Sequence, residues 1–188
     1  FKGKLDKYVR RDGLIEPVFI AAEMEKLASD HRLAGPDRRA LLRQQKTTTG
    51  FQDLGAALIQ LLSRNKKPHI ALICGKTSVV LQDLYSALED FADCYRFTEY
   101  RTNLLDRQAI ITALEKCNNK FDLIAIIRGG GPGLEIFDDV AIAEASLSLQ
   151  PIVVTAIGHA QDDTLLQQLA DQQFTTPTAL GTYLREMV

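Results

Sequence analysis

The stretch that decides the fold runs from Phe121 to Asp139, FDLIAIIRGGGPGLEIFDD. It opens as a short apolar run, as a strand buried on both faces does, then breaks into Arg128 and the glycines at 129, 130, 131 and 133. Glycine loses more freedom on folding than any other residue, so such a cluster is unfavourable unless the backbone turns sharply or admits a close neighbour. These glycines exceed what a tight turn demands. Lying just past a strand end, with a guanidinium beside them, they point to something held closely against the loop.

Working outward, the same rhythm recurs from Pro68 onward. Ile70 to Cys74 is strand-like, Ser78 to Phe91 helical, Tyr95 to Tyr100 a weaker strand, and Asp106 to Cys117 helical. After the strand ending at Ile127 come a helix from Val140 to Leu149 and a strand from Ile152 to Ile157. Parallel neighbours need a crossover, so this βαβαβαβ alternation predicts an α/β fold: a mostly parallel sheet with helices on both faces, Rossmann- or flavodoxin-like. Ligands of such folds sit outside the carboxyl ends of the strands. Polar clusters follow three of the strands there: GKTS after Cys74, RGGGPG after Ile127 and GHAQDDT after Ile157.

Residues 1–67 read differently, as a basic helical segment preceding an α/β domain at 68–188. Val18, Ala21, Ala22, Met24, Leu27 and Ala28 predict an amphipathic helix from Glu16 to Leu33, ended by Gly35-Pro36. A short piece with Leu41 and Leu42 follows, then a loop KTTTG, then a helix from Phe51 to Leu62. Up to Lys67 there are 14 Lys+Arg against 8 Asp+Glu; the remainder has 8 against 16, so +6 faces −8 within a net charge of −2. That polarity suggests a nucleic-acid or otherwise acidic partner at the basic end, although charge runs commonly form only a solvated surface.

Composition narrows the classes further. The chain has 188 residues, 46% hydrophobic and 24% charged, enough for one domain with an accessory helical piece. No apolar run approaches the roughly 18 residues of a membrane span, and the first residues hold no apolar signal segment. Cys74, Cys94 and Cys117 are scattered without metal or disulfide spacing. A soluble protein of the reducing cytoplasm is expected, with no membrane association. A chain that opens on Phe and closes in a helical pattern is expected to be part of a longer protein.

Each cluster has a bland reading beside its functional one. CGKTS fails the phosphate-loop pattern because Ile70 stands where its first glycine would be. What remains is a helix N-terminus at Lys76 and Thr77, with Thr77 or Ser78 as cap, serving either as an anion site or as a plain cap. RGGGPGLE fails the dinucleotide fingerprint because Leu134 occupies a required glycine. The amides of Gly129, Gly130 and Gly131 could nonetheless make an anion-binding nest, with Arg128 offering a planar fork to phosphate oxygens. In GHAQDDT, His159 suits proton transfer near neutral pH and Asp162 or Asp163 could orient it; a metal site is also conceivable, and the acids could merely favour a helix start near Thr164. Together with Arg128 at one sheet edge, His159 suggests phosphate chemistry.

With these residues in view, the chain from about Pro68 to its end resembles the catalytic region of the exodeoxyribonuclease VII large subunit family. Its GKTSVVLQD, RGGGPG, GHAQDDT and TTPT are similar to that family's SPTGAAIRD, RGGGS, GHETDFT and PTPT, in the same order and at comparable spacing. The likeness covers roughly two-thirds of the chain and marks it as a divergent or truncated member. It implies that Asp83, Arg128, His159 and Asp162 occupy the family's active-site positions; Asp83 would not be chosen from spacing alone. It further implies cleavage of phosphodiester bonds in single-stranded DNA to short oligonucleotides, no cofactor, no requirement for a divalent metal, and a small-subunit partner.

The pattern also departs from the family. Pro132-Gly133 stands in place of a serine after the glycines, LEIFDD shortens the next stretch, and Ala160-Gln161 replaces the pair inside GHETD. The family's N-terminal OB-fold and the helical tail that gathers small subunits are expected to be missing from these residues. Two competing readings follow: a catalytically silent relative that grips nucleic acid or a phosphorylated ligand, and an interaction module using Glu16 to Leu62.

Overall fold

The computed structural model describes residues 2–9, 15–23, 35–76, 80–158 and 163–188. The chain divides into two compact units, Phe1–Ala34 and Gly35–Val188, so the boundary expected at residue 67 falls inside the second.

In the first unit β1 (Lys2–Val9) pairs antiparallel with β2 (Ile15–Glu23), Asp6 opposite Val18 and Lys4 opposite Ile20. This corrects the helix expected from Glu16 to Leu33 over residues 16–23, which are strand; residues 24–33 lie outside the described residues. Short apolar runs satisfy helical and extended spacing alike, and IEPVFI is rich in β-formers, so a pairing partner decides. In a two-stranded sheet both strands are edges, where Pro17 is tolerated.

The second unit opens with the helical segment expected ahead of the sheet, as α1 (Gly35–Thr49) and α2 (Leu54–Ser63). Gly35-Pro36, expected as a helix end, begins α1, for the fixed φ of proline suits a first turn. The expected loop at KTTTG is the last turn of α1. Thr47, Thr48 and Thr49 donate their hydroxyls to the carbonyls of Arg43, Gln44 and Gln45, and Gly50, at φ +86°, caps the helix by donating its amide to Lys46. Tertiary contacts hold this helix in place: Leu42 is buried with Ala143, Leu165 and Leu169, and Arg38 pairs with Glu144 at 2.5 Å. Asp53 caps α2 by accepting from the Ala56 amide.

The remainder alternates as the apolar runs require: β3 (His69–Gly75), α3 (Val80–Leu88), β4 (Arg96–Thr102), α4 (Arg107–Cys117), β5 (Leu123–Ile127), α5 (Val140–Leu147), β6 (Ile152–Ala156), α6 (Leu165–Leu169), β7 (Gln172–Gln173) and α7 (Pro177–Glu186). Short 3-10 turns stand at Glu89–Cys94 and Leu134–Asp138. The five strands are parallel in the order β4-β3-β5-β6-β7. Side chains alternate between the faces. Ile70, Leu72 and Cys74 of β3, with Leu123, Ala125 and Ile127 of β5, pack with α2, α3 and α7. Ala71, Ile73, Ile124 and Ile126 pack with α4 and α5 on the other side. This is the α/β sandwich expected from the sequence, with burial of each large aliphatic side chain contributing about 1.5–3 kcal/mol. No helix among the described residues is long and apolar enough to cross a membrane.

Two places make the packing testable. A Cβ on Gly181 would lie 2.5 Å from the Leu84 carbonyl oxygen and 2.8 Å from Ala87 Cβ, so α7 rests directly on α3. Gly181→Ala is expected to cost about 1–3 kcal/mol of stability through overpacking, read as a lower urea midpoint at an unchanged m-value.

The second concerns alkaline pH. Burial pushes the Cys117 thiol up to about 11, against smaller opposing effects of Tyr100 and Lys120. Burial likewise pushes the Tyr95 phenol up to about 12; its hydroxyl donates to the Leu184 carbonyl at 2.6 Å. Both groups hold their protons more tightly folded than unfolded. Their contribution to stability is complete below about pH 9 and is lost as pH rises through about 11 and then about 12. Melting temperatures measured from pH 8 to 12 should fall through that window, and Cys117→Ala should remove its first part.

Candidate functional site

The strand order creates a switch point. From β3 the chain crosses to β4 on one side of it and then returns to β5 on the other, so the crossovers diverge and leave a crevice beyond the carboxyl ends of β3 and β5. Cys74 is level with Ile127, which sets Gly75 and Lys76 beside Arg128 and its glycines.

Arg128 organises its own loop. Its amide donates to the Ala156 carbonyl at 3.0 Å, continuing the β5–β6 ladder by one bond. Its Nη2 donates to the Gly131 carbonyl at 2.5 Å and to the Pro132 carbonyl, folding the loop back over the guanidinium. The Nε and Nη1 hydrogens have no partner among the described residues. Gly131 and Gly133 have φ of +123° and +92°, a region that favours glycine. Gly129 lies against Val80 at the start of α3, whereas an added Cβ on Gly130 or Gly131 would meet nothing within 4 Å. Internal packing therefore does not demand glycine at 130; the open space leaves room for a ligand against the backbone.

The crevice measures about 570 Å³ and is lined by Gly75, Lys76, Thr102, Asn103, Leu104, Leu105 and residues 128–132. Lys76 and Arg128 are its charged members, and no carboxylate lines it among the described residues. The residues around the mouth thus present two positive charges, fixed turns and a strip of apolar surface, which suits an anion with an apolar portion attached.

The expected site residues fall into three groups. Lys76, Arg128, Gly129, Gly130 and Gly131 line one crevice. The role expected for amides after β3 changes, however, because the Lys76 N–H is already spent on the Thr102 carbonyl at 3.1 Å and only its ammonium is left to offer. Asp83 is exposed in the first turn of α3, outside the crevice lining. Thr77, His159 and Asp162 lie outside the described residues. The strand leading to His159 and Asp162 is described, and its last carbonyl, that of Ala156, is the one Arg128 bonds.

Two features escaped the reading by motif. The end of β4 and the loop after it supply Thr102, Asn103 and Leu105 to the crevice; the signal in the sequence was TNLLD, a break after a strand that holds Asn103 and Asp106. The second is a buried ion pair away from the crevice. Asp171, with its side chain 2% exposed, accepts from Lys46 Nζ at 2.6 Å, from the Gln52 amide and from the Val153 amide. Nothing in the sequence pairs residues so far apart.

Comparison with known proteins agrees with this architecture. The family model for the large subunit of exonuclease VII matches residues 59–186. Among similar proteins, the exodeoxyribonuclease 7 large subunit of Thermotoga petrophila is 32% identical over 136 residues, covering 66% of this chain and 34% of that protein. That of Thermobifida fusca is 33% identical over 116 residues, covering 58% and 29%. That of Campylobacter fetus subsp. fetus is 28% identical over 161 residues, covering 74% and 42%. The chain belongs to the exonuclease VII large-subunit family, and it spans about a third of the length of these relatives.

Proposed function

We propose that this chain is a hydrolytic domain that cuts phosphodiester bonds of single-stranded DNA, yielding oligonucleotides. The observation that carries the reading is the crevice at the switch point, where Lys76, Arg128 and an open glycine loop converge and no carboxylate lines the wall among the described residues. The Nε and Nη1 hydrogens of Arg128 and the Lys76 ammonium would hold the non-bridging oxygens of a phosphate. His159 would accept a proton from the attacking water or return one to the leaving oxygen as the P–O bond breaks, with Asp162 orienting the imidazole. Asp83 would position water or the imidazole. The chemistry is proposed to proceed without a divalent metal or other cofactor, in the cytoplasm, and in company with a small subunit.

Two observations favour a second reading, in which the chain binds nucleic acid or a phosphorylated ligand without cutting it. Arg128 spends Nη2 on its own loop, and Asp83 stands outside the crevice lining. An end-labelled single-stranded oligonucleotide incubated with the chain in chelator separates the two. Shortening of the label supports hydrolysis, and a salt-sensitive mobility shift with intact label supports binding alone.

A further inference from the structure

Beside the crevice lies a second hollow, of about 520 Å³, lined by Leu105, Pro132, Gly133, Glu135, Ile136 and Asp139. Leu105 and Pro132 belong to both, so the two are continuous around one side chain. Leu105 is 65% exposed, the most exposed of the large apolar residues described. It is nevertheless held in position. Its amide donates to Asn103 Oδ1 at 3.1 Å, and its δ-methyl sits where a Cβ on Gly133 would be. The left-handed Gly133 thus lets the glycine loop pass beneath Leu105.

The charges on the two sides differ. The crevice carries Lys76 and Arg128, whereas the second hollow carries Glu135 and Asp139. Asp139 is occupied, capping α5 through the Ala141 and Ile142 amides and facing Arg107 at 3.5 Å; Glu135 is exposed at the rim. Phosphate is attracted to the first side and repelled from the second. A flat apolar group covalently attached to that phosphate would be directed past Leu105 onto Pro132 and Ile136. A nucleotide has this pairing of parts, an anion with an apolar face at fixed reach.

We propose that the hollow beyond Leu105 is a nucleobase subsite, taking the base next to a phosphate held at the Arg128 loop. The subsite rests on the single-strand reading of the crevice given above. Leu105 acts as a positioning residue: it packs on the base face, and the carboxylates beyond it keep the backbone on the side of Lys76.

Fluorescence anisotropy with a labelled single strand, and with the same strand made of abasic sugars, tests this on the full chain. The wild-type chain is expected to bind the normal strand roughly 5- to 30-fold more tightly, the worth of partly burying a leucine-sized surface. Leu105→Ser should bring that ratio towards one, and Leu105→Met should restore it. Lys76→Ala should weaken both strands together. Equal affinity of the wild-type chain for both strands, or a Leu105→Ser ratio unchanged from wild type, overturns the subsite and leaves the single-strand reading standing. Failure of the wild-type chain to bind either strand, or binding indifferent to Lys76→Ala, overturns both.

Discussion

Asp171→Ala is expected to destabilise the second unit by about 3–5 kcal/mol, the usual result of removing one partner from a buried charge pair. The carboxylate ties three parts of the chain: Lys46 in the last turn of α1, Gln52 between α1 and α2, and Val153 in β6. Its removal leaves the Lys46 ammonium, whose side chain is 11% exposed, without a counter-charge, and leaves the Val153 amide without its acceptor. The ring of Phe51, 4.9 Å below Lys46 Nζ, softens the loss without replacing a carboxylate. Asp171→Asn should be milder, since an amide oxygen can still accept from Val153. Urea unfolding checks the order: the midpoint should fall from wild type to Asn to Ala. A loss below about 1 kcal/mol for Asp171→Ala would show that water reaches the pair and that the latch is an ordinary surface bridge.

His159→Ala is expected to reduce hydrolysis of a single-stranded oligonucleotide by about 100- to 10,000-fold, the range supplied by one positioned general acid or base. Strand binding should persist, because on the proposed reading the phosphate contacts come from Lys76 and Arg128, which line the crevice. The pair of measurements matters more than either alone. Lost cleavage with retained binding assigns His159 to proton transfer, whereas full cleavage removes it from the mechanism and passes the role to another group. Arg128→Lys makes a useful contrast. An ammonium cannot reach the Gly131 and Pro132 carbonyls as the guanidinium fork does, so that variant should disturb loop and binding together.

The expected elements from Ile70 to Ile157 match β3 to β6 closely because each apolar run has one interpretation once its length and punctuation are counted. LIAII is rich in β-branched isoleucine and too apolar for a half-exposed strand, and VAIAEASL follows an aspartate that caps it. The N-terminal third was less legible. IEPVFIAAE has helical spacing over part of its length yet pairs as β2, and the threonines of KTTTG sit within a helix. In both cases the deciding contacts lie outside the segment itself, in the adjoining Lys2–Val9 for the strand and in the distant Glu144 and Asp171 for the helix.

The candidate site divides along the same line. Arg128 with its glycines declared itself as chemistry at a strand end, and the four ordered motifs declared the family. That Lys76 offers its ammonium and not its amide, that Arg128 folds its own loop, and that Leu105 stands between two hollows of opposite charge are facts of assembly. Local sequence determined which segments become strands and which breaks are polar, because propensity and periodicity act over a few residues. Tertiary structure alone decided which of those breaks meet at the β3–β5 switch point and which donors remain free there, because hydrogen bonds and burial between distant segments are settled only when the sheet closes.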